Sequence, residues 1–240
     1  QIYKSIFFYI LDSLRIQHFH MMLNCDIHVL SKDLAKTVQY AWTQEVLKIV
    51  ETWKEVSKNF CIVGGCALNG ITNYKIEQEK IFNNIHYIPN PTDCGLSIGA
   101  SLLSYYKNSN KDFKGYKKFF SPYLGDYAYD LGDINEFKKQ YSYYEIDEAQ
   151  VSSKIAKAIF NNAIVGVIRG RYEIGPRALG NRSILCNPLN LKMREILNEK
   201  VKKREWYRPF AHVSTLEDSK NFFTNNNQIP YMSVICEVRN

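Results

Sequence analysis

No CxxC pair, no HxxxH or HxxH pair, no internal repeat and no bilayer-length apolar run occurs in the 240-residue sequence. Each absence removes a class of protein. Cys25, Cys61, Cys66, Cys94, Cys186 and Cys236 are too dispersed for a secreted disulfide scaffold and lack the tight pairs of a zinc site. Reduced, mostly buried thiols are expected. The five histidines, His18, His20, His28, His86 and His212, form no self-contained metal site, and the alternating His18 and His20 read as structural. The apolar run SIFFYIL (5–11) is too short for a membrane span or a signal-peptide core, so a soluble, cytoplasmic chain with no membrane partner is expected. The chain opens on Gln1 rather than Met, which suggests a start inside a longer protein or after processing.

Aspartate is missing where charge matters most. From Arg169 to Arg208 the sequence has eleven Lys and Arg, four Glu and no Asp, so this stretch holds the whole net charge of +7. Such concentration fits a phosphate-handling pocket better than a surface-wide nucleic-acid footprint. The composition, 45% hydrophobic and 14% aromatic, is sufficient for packed cores.

Residues 30–59 read as a long amphipathic helix capped by Ser31, with Leu34, Val38, Trp42, Val46, Ile49 and Trp53 on one face. FCIVGGCALN comes next as a short strand entering a glycine turn, and IHYIPN is a second strand. TDCGLSIGASLLSYY reads as a turn and a helix. The repeated strand, glycine-rich turn and helix predict an α/β domain. The polar stretch 107–140 reads as a linker and boundary region. Beyond it, SSKIAKAIFNN predicts a helix and AIVGVIRG a buried strand. Asn187-Pro188 predicts the start of a helix with Met193, Ile196, Leu197 and Val201 on one face, ended by Pro209.

GRYEIGPRALGNRSIL (170–185) sets Arg171, Arg177 and Arg182 among Gly175, Pro176 and Gly180. Guanidinium forks on so stiff a backbone suit bidentate binding of phosphate or carboxylate. Glu173 reads as the positioning partner of one of these arginines. REWYRPF holds Arg208 at a helix end between aromatics, whereas Lys192, Arg194, Lys200 and Lys203 read as a solvated face. Gly64 and Gly65 would let a phosphate approach the backbone, or simply make a turn. Asn69 and Asn73 suit a ribose or base, or a helix cap. Asp93 suits a helix N-cap or a metal-site carboxylate.

DLAKTVQ (33–39), GGCALNGITNYKI (64–76), PNPTDCGLSIGAS (89–101), SPYLG (121–125), the arginine segment and LNEKVKKREWYRPFA (197–211) occur in that order, and with them the chain resembles O-carbamoyltransferases of the nodulation-protein and antibiotic-tailoring type. The resemblance implies the C-terminal part of an ASKHA (actin-like ATPase) domain at 1–110, a linker at 111–140 and an incomplete YrdC-like α/β domain at 141–240. It implies that carbamoyl phosphate and ATP give carbamoyl adenylate, whose carbamoyl group passes to a small-molecule hydroxyl acceptor, a sugar or a natural product. Arg177, Lys202 and Arg208 would be catalytic. Arg171, Glu173, Arg182, Ser183 and Arg204 would bind substrate, and Gly64, Gly65 and Asn69 the nucleotide. Asp93 would ligate a divalent metal (Fe, Mg or Mn). No nucleic-acid partner is expected, and a homodimer is compatible. The HxxxH pair of such enzymes is not in this sequence, His212 stands where proline is common and Arg169 where an uncharged polar residue is usual. Two other readings are a tRNA- or maturation-type (threonyl)carbamoyl enzyme and a non-catalytic nucleotide- or phosphate-binding module.

Overall fold

The computed structural model describes residues 27–109, 121–127, 134–224 and 228–239. SIFFYIL, His18, His20 and Cys25 lie outside them, as does much of the 107–140 stretch. The chain is mixed α/β and divides into two compact units, one of residues up to 60 together with 71–85, the other of 61–70 together with 86 onward.

The first unit rests on helix α1 (Ile27–Thr52). The helix begins before Ser31, because Ile27 to Leu30 include no glycine or proline to stop it, so Ser31 is an interior residue and not a cap. The buried stripe is also displaced from the apolar one. Thr43 and Val50 are buried, Trp42 and Val46 half-buried, and Leu34, Val38, Ile49 and Trp53 exposed. The displacement has a polar cause. Thr43 and Thr72 meet hydroxyl to hydroxyl at 3.0 Å, and Gln39 Nε2 donates to Thr72 Oγ1 at 3.2 Å. Thr72 belongs to helix α2 (Gly70–Glu79), which also buries Asn73 and Ile76. Satisfied hydroxyls are retained in this seam because an unpaired one would cost about 1–3 kcal/mol. Phe60 stacks on Phe82 with ring centroids 4.7 Å apart.

Strands β1 (Asn59–Cys61) and β2 (Asn84–His86) pair in a two-stranded sheet. A 3-10 turn at Gly65–Leu68 comes after β1, and another at Asp93–Gly95 leads into helix α3 (Leu96–Ser109). The two loops meet where Gly64 N donates to Pro91 O at 2.6 Å. Gly64 has φ 88°, which glycine adopts freely. Cys61, Cys66 and Cys94 sit in or beside these turns and are exposed, while Cys186 and Cys236 are half-buried. Among the described residues these five cysteines form no disulfide, and they are not mostly buried as the sequence suggested.

Helices α4 (Ile134–Gln140) and α5 (Glu148–Phe160) come next, the latter capped by Asp147, whose side chain accepts from Ala149 N. Strands β3 (Val165–Ile168) and β4 (Arg182–Leu185) form an antiparallel pair with Val165 opposite Leu185 and Ile168 opposite Arg182. The predicted buried strand is thus only half-buried: Val165 and Val167 turn inward, Gly166 and Ile168 outward. A pair of strands has two edges and covers one face, so alternation replaces the continuous burial of a wider sheet.

The helix expected from Asn187 begins later and ends sooner. Asn187 Oδ1 accepts from Leu189 N and Asn190 Oδ1 from Lys192 N, two side-chain turns that delay the start until α6 (Met193–Ile196). One π-helical stretch, Leu197–Lys202, continues it and ends at Lys203 in the left-handed region, well before Pro209. Thr215 caps helix α7 (Leu216–Phe222). No described helix is long and apolar enough to cross a membrane.

Backbone meets backbone most tightly at Gly175. A Cβ there would collide with the Pro89 carbonyl oxygen and its carbon, whereas one on Gly99 would meet nothing within 4 Å. Gly175→Ala is expected to destabilise the protein by about 2–3 kcal/mol through overpacking that no side-chain rotation relieves. Gly99→Ala, inside α3, is expected to stabilise by about 0.5–1 kcal/mol. Thermal unfolding followed by circular dichroism checks both signs.

Candidate functional site: two arginine-bearing loops

The first loop leaves β3 and returns as β4. Gly170 at φ 53° and Gly180 at φ 106° make its two sharp reversals, and Arg169 N donates to Asn181 O at 3.0 Å across its neck. Segment 121–127 runs alongside it. Tyr172 N donates to Asp126 O at 2.9 Å, Gly125 N to Tyr172 O at 3.0 Å and Ile174 N to Pro122 O at 2.8 Å. Tyr123 Oη closes the far end by donating to Leu179 O at 2.7 Å.

Glu173 organises the loop from inside. Its Oε1 accepts from Leu179 N at 2.9 Å, Asn181 N at 2.9 Å and Arg182 N at 3.3 Å. Its bonds go to backbone N–H groups rather than to the guanidinium partner expected from sequence. Burial, the largest single influence, pushes its pKa up. The N–H groups of Leu179, Glu173 itself, Asn181 and Arg182 together outweigh that and hold the carboxyl below its ordinary value.

The three arginines on this loop are differently engaged. Arg171 is bound to carbonyls of the neighbouring segment, Nε to Gly125 O at 2.7 Å and Nη2 to Leu124 O at 3.0 Å. Arg182 lies 3.3 Å from the centre of the Tyr172 ring, and its Nη1 donates to Arg169 O and Asn181 O. Its Nε and Nη2 are buried with no partner among the described residues. Arg177 reaches Leu68 O with Nη2 at 3.5 Å, and its Nε is likewise buried and unpartnered among them. Ser183 Oγ is occupied by Gly180 N at 2.9 Å. Buried cationic N–H groups without acceptors are costly, and an oxyanion would satisfy them.

The second loop, 202–208, begins where the π-helical stretch ends. The Lys202 ammonium is exposed, with no partner among the described residues. Arg204 lies 4.8 Å from the Phe210 ring centre and donates from Nε to Asn198 Oδ1 at 2.7 Å. Arg208 Nε pairs with Glu205 Oε2 at 2.8 Å in the open. The backbone N–H of Glu205 and then Arg208 hold the Glu205 carboxyl below its ordinary value. So exposed a pair contributes little to stability, and Arg208 is readily given up to a better anion.

Of the remaining candidates, Gly64 and Gly65 form the turn after β1, and Asn69 ends it with its N–H on Cys66 O. Leu68 of the same turn is the residue that Arg177 reaches. Asp93 opens its 3-10 turn, but Thr92 holds the cap position and the Asp93 carboxylate is exposed with no partner among the described residues. It is therefore not the cap the sequence allowed. No group of three His, Cys, Asp or Glu suited to a metal occurs among the described residues. Among the described residues Asp93 is thus not part of a three-ligand metal group.

Sequence reasoning passed over Tyr123, Tyr172 and Asn198. The first two stand inside the SPYLG and GRYEIGPRALGNRSIL motifs. Asn198 had one signal, an asparagine in the middle of a helical run, where its propensity is poor.

Fold and site together define an α/β protein with cationic loops fixed by their backbone. The Carbamoyltransferase N-terminus model matches residues 10–102 and the Carbamoyltransferase C-terminus model residues 156–240. The chain is 33% identical over 218 residues to nodulation protein NolNO of Sinorhizobium fredii, covering 87% of this chain and 31% of that protein. It is 30% identical over 215 residues to nodulation protein NolO of Bradyrhizobium diazoefficiens, covering 87% and 39%. With the 3'-hydroxymethylcephem-O-carbamoyltransferase of Streptomyces clavuligerus it shares 30% over 203 residues, covering 80% and 36%. The chain belongs to the carbamoyltransferase family. It spans about a third of the length of these relatives.

If Glu173 holds the first loop as an anion, its contribution must vary with pH in one direction. Its folded pKa is depressed, so its stabilisation is full above the ordinary carboxylate range, about 4.3, and is lost as pH falls through the lower folded value. The melting-temperature gap between the parent protein and Glu173→Gln is expected to be widest near pH 7 and to narrow below about pH 4. Glu173→Ala, which leaves three N–H groups without their acceptor, is expected to cost about 2 kcal/mol. Melts at about pH 7 and about pH 3 check both.

Proposed function

We propose that the protein is an O-carbamoyltransferase that makes carbamoyl adenylate and passes its carbamoyl group to a hydroxyl of a small-molecule acceptor, a sugar or a natural product. Water cleaves the O–P bond of carbamoyl phosphate, giving carbamate and inorganic phosphate. The resulting carbamate oxygen bonds to the α-phosphorus of ATP and pyrophosphate leaves. The acceptor hydroxyl then attacks the carbamoyl carbon, and AMP departs with the bonding pair.

The observation that carries this reading is the buried Nε of Arg177, which lacks an acceptor among the described residues and lies inside the region matched by the Carbamoyltransferase C-terminus model. Arg177, Lys202 and Arg208 would neutralise the phosphate charge of carbamoyl phosphate and of the adenylate. Arg182 and Arg204, held on aromatic rings, would support them, with Arg171, Glu173 and Ser183 keeping the loop in shape. Reactions at phosphorus need positioning and charge neutralisation above all, and fixed guanidinium forks supply both. Gly64, Gly65 and Asn69 would belong to the adenosine site of the transfer step. Within this reading the first part of the chain is ASKHA-like and the last part YrdC-like, and Asp93 would give one carboxylate to a divalent metal, Fe, Mg or Mn. The name of the cephem relative, an O-carbamoyltransferase, supports a hydroxyl acceptor.

In the protein expressed from its complete reading frame, Arg177→Ala and Arg208→Ala are each expected to lower carbamoyl-phosphate-dependent release of pyrophosphate from ATP by roughly a hundredfold or more, with circular dichroism showing both variants folded. Unaltered turnover in both variants contradicts the assignment.

A further inference from the structure

We propose that Asn198 is the positioning residue of the phosphate-binding loop: its buried amide fixes the backbone from which Lys202 and Arg208 act. This rests on the phosphate-binding role proposed for those two cations.

Asn198 is 0% exposed. All the bonding capacity of its amide hydrogens is directed at one loop, Nδ2 donating to Trp206 O at 3.0 Å and to Arg208 O at 2.9 Å. Oδ1 accepts from Arg204 Nε at 2.7 Å. Its backbone oxygen accepts from Arg204 N at 2.9 Å and from the N–H of Lys203. Four residues between 203 and 208 are thus tied to one side chain and its own carbonyl.

The geometry demands an amide. Two carbonyl oxygens converge on one nitrogen while a third group requires an acceptor. Leucine satisfies none of these needs, and aspartate satisfies only the acceptor. The backbone is built around the same point. The stretch is π-helical from Leu197 to Lys202, and Lys203 sits at φ 48° and ψ 54°. Single π-turns inside helices are frequent at functional sites because they redirect the chain beyond them. Here the redirected residues are the cationic loop. A core asparagine with no role beyond stability would have partners on other parts of the fold. Each of these bonds instead ends on residues 203–208.

The test uses the protein expressed from its complete reading frame, with pyrophosphate release as the readout and carbamoyl phosphate as the varied substrate. Asn198→Asp, Asn198→Ser and Arg208→Ala are compared with the parent at a temperature where circular dichroism shows each fully folded. Asn198→Asp keeps the bond to Arg204 but sets an oxygen against two carbonyl oxygens. Its KM for carbamoyl phosphate is expected to rise at least tenfold, with a smaller change in kcat. Relative to the parent at each pH, the defect is expected to shrink towards about pH 5, because a protonated carboxyl donates to one of the two carbonyls. Arg208→Ala has no such group and its relative defect is expected to stay flat. Should the aspartate variant not fold, Asn198→Ser, with one donor in place of two, is expected to raise the same KM severalfold. A parental KM in whichever Asn198 variant folds, beside an impaired Arg208→Ala, overturns the positioning role alone. Parental kinetics in Arg208→Ala overturns the site reading on which it rests.

Discussion

One carboxylate oxygen receiving three backbone N–H groups is the constraint on which the arginine loop depends. Glu173 Oε1 draws Leu179, Asn181 and Arg182 towards a single point. A loop with left-handed glycines at both reversals would otherwise sample many conformations, since glycine loses more backbone freedom on ordering than any other residue. Tyr123 and the 121–127 segment tighten the same closure from outside. The consequence for chemistry is indirect but large. With the backbone held by Glu173, the guanidinium groups need not hold it, and Arg177 keeps hydrogen-bonding capacity for a ligand.

The second loop applies the same rule with a different group. A buried carboxylate would be costly without N–H donors around it, and the 203–208 backbone presents carbonyls to the interior instead. The residue that answers carbonyls is an amide, and Asn198 stands there. In both loops a polar side chain organises backbone, while long cationic side chains are left at the margins. With the backbone held in this way, the rearrangement needed for an arriving anion would be confined to side-chain partners such as the exposed Glu205–Arg208 pair.

Much of this was legible in the sequence. The concentration of charge between Arg169 and Arg208 and the rigid residues around Arg177 located the cationic loops, and the strand–turn–helix alternation pointed to the α/β class. The hidden features had specific causes. The stripe Leu34, Val38, Ile49 promised a buried face for α1, but a hydroxyl seam through Thr43 and Thr72 decides which side packs, and periodicity counts only apolar residues. The helix after Asn187 looked continuous because propensity treats Asn187, Asn190 and Asn198 as weak formers, not as the side-chain hydrogen-bonders that delay and redirect it. Glu173 looked like an arginine's partner because charge is visible in a sequence and backbone direction is not.

The same competition between backbone and ligand explains why arginines of identical chemistry are unequal here. Arg171 donates twice to carbonyls, so drawing it to an anion would remove two of the bonds that join segments 121–127 and 171–174. Arg208 holds only an exposed carboxylate, a partner that water and salt already weaken. Arg182 lies between these limits, stacked on Tyr172 with one nitrogen satisfied and two not. Ease of release therefore runs opposite to structural commitment. On the proposed reading, an incoming phosphate would engage first the cations that the fold can spare, Lys202, Arg208 and the unpartnered Nε of Arg177, while the committed arginines would keep the loops in shape.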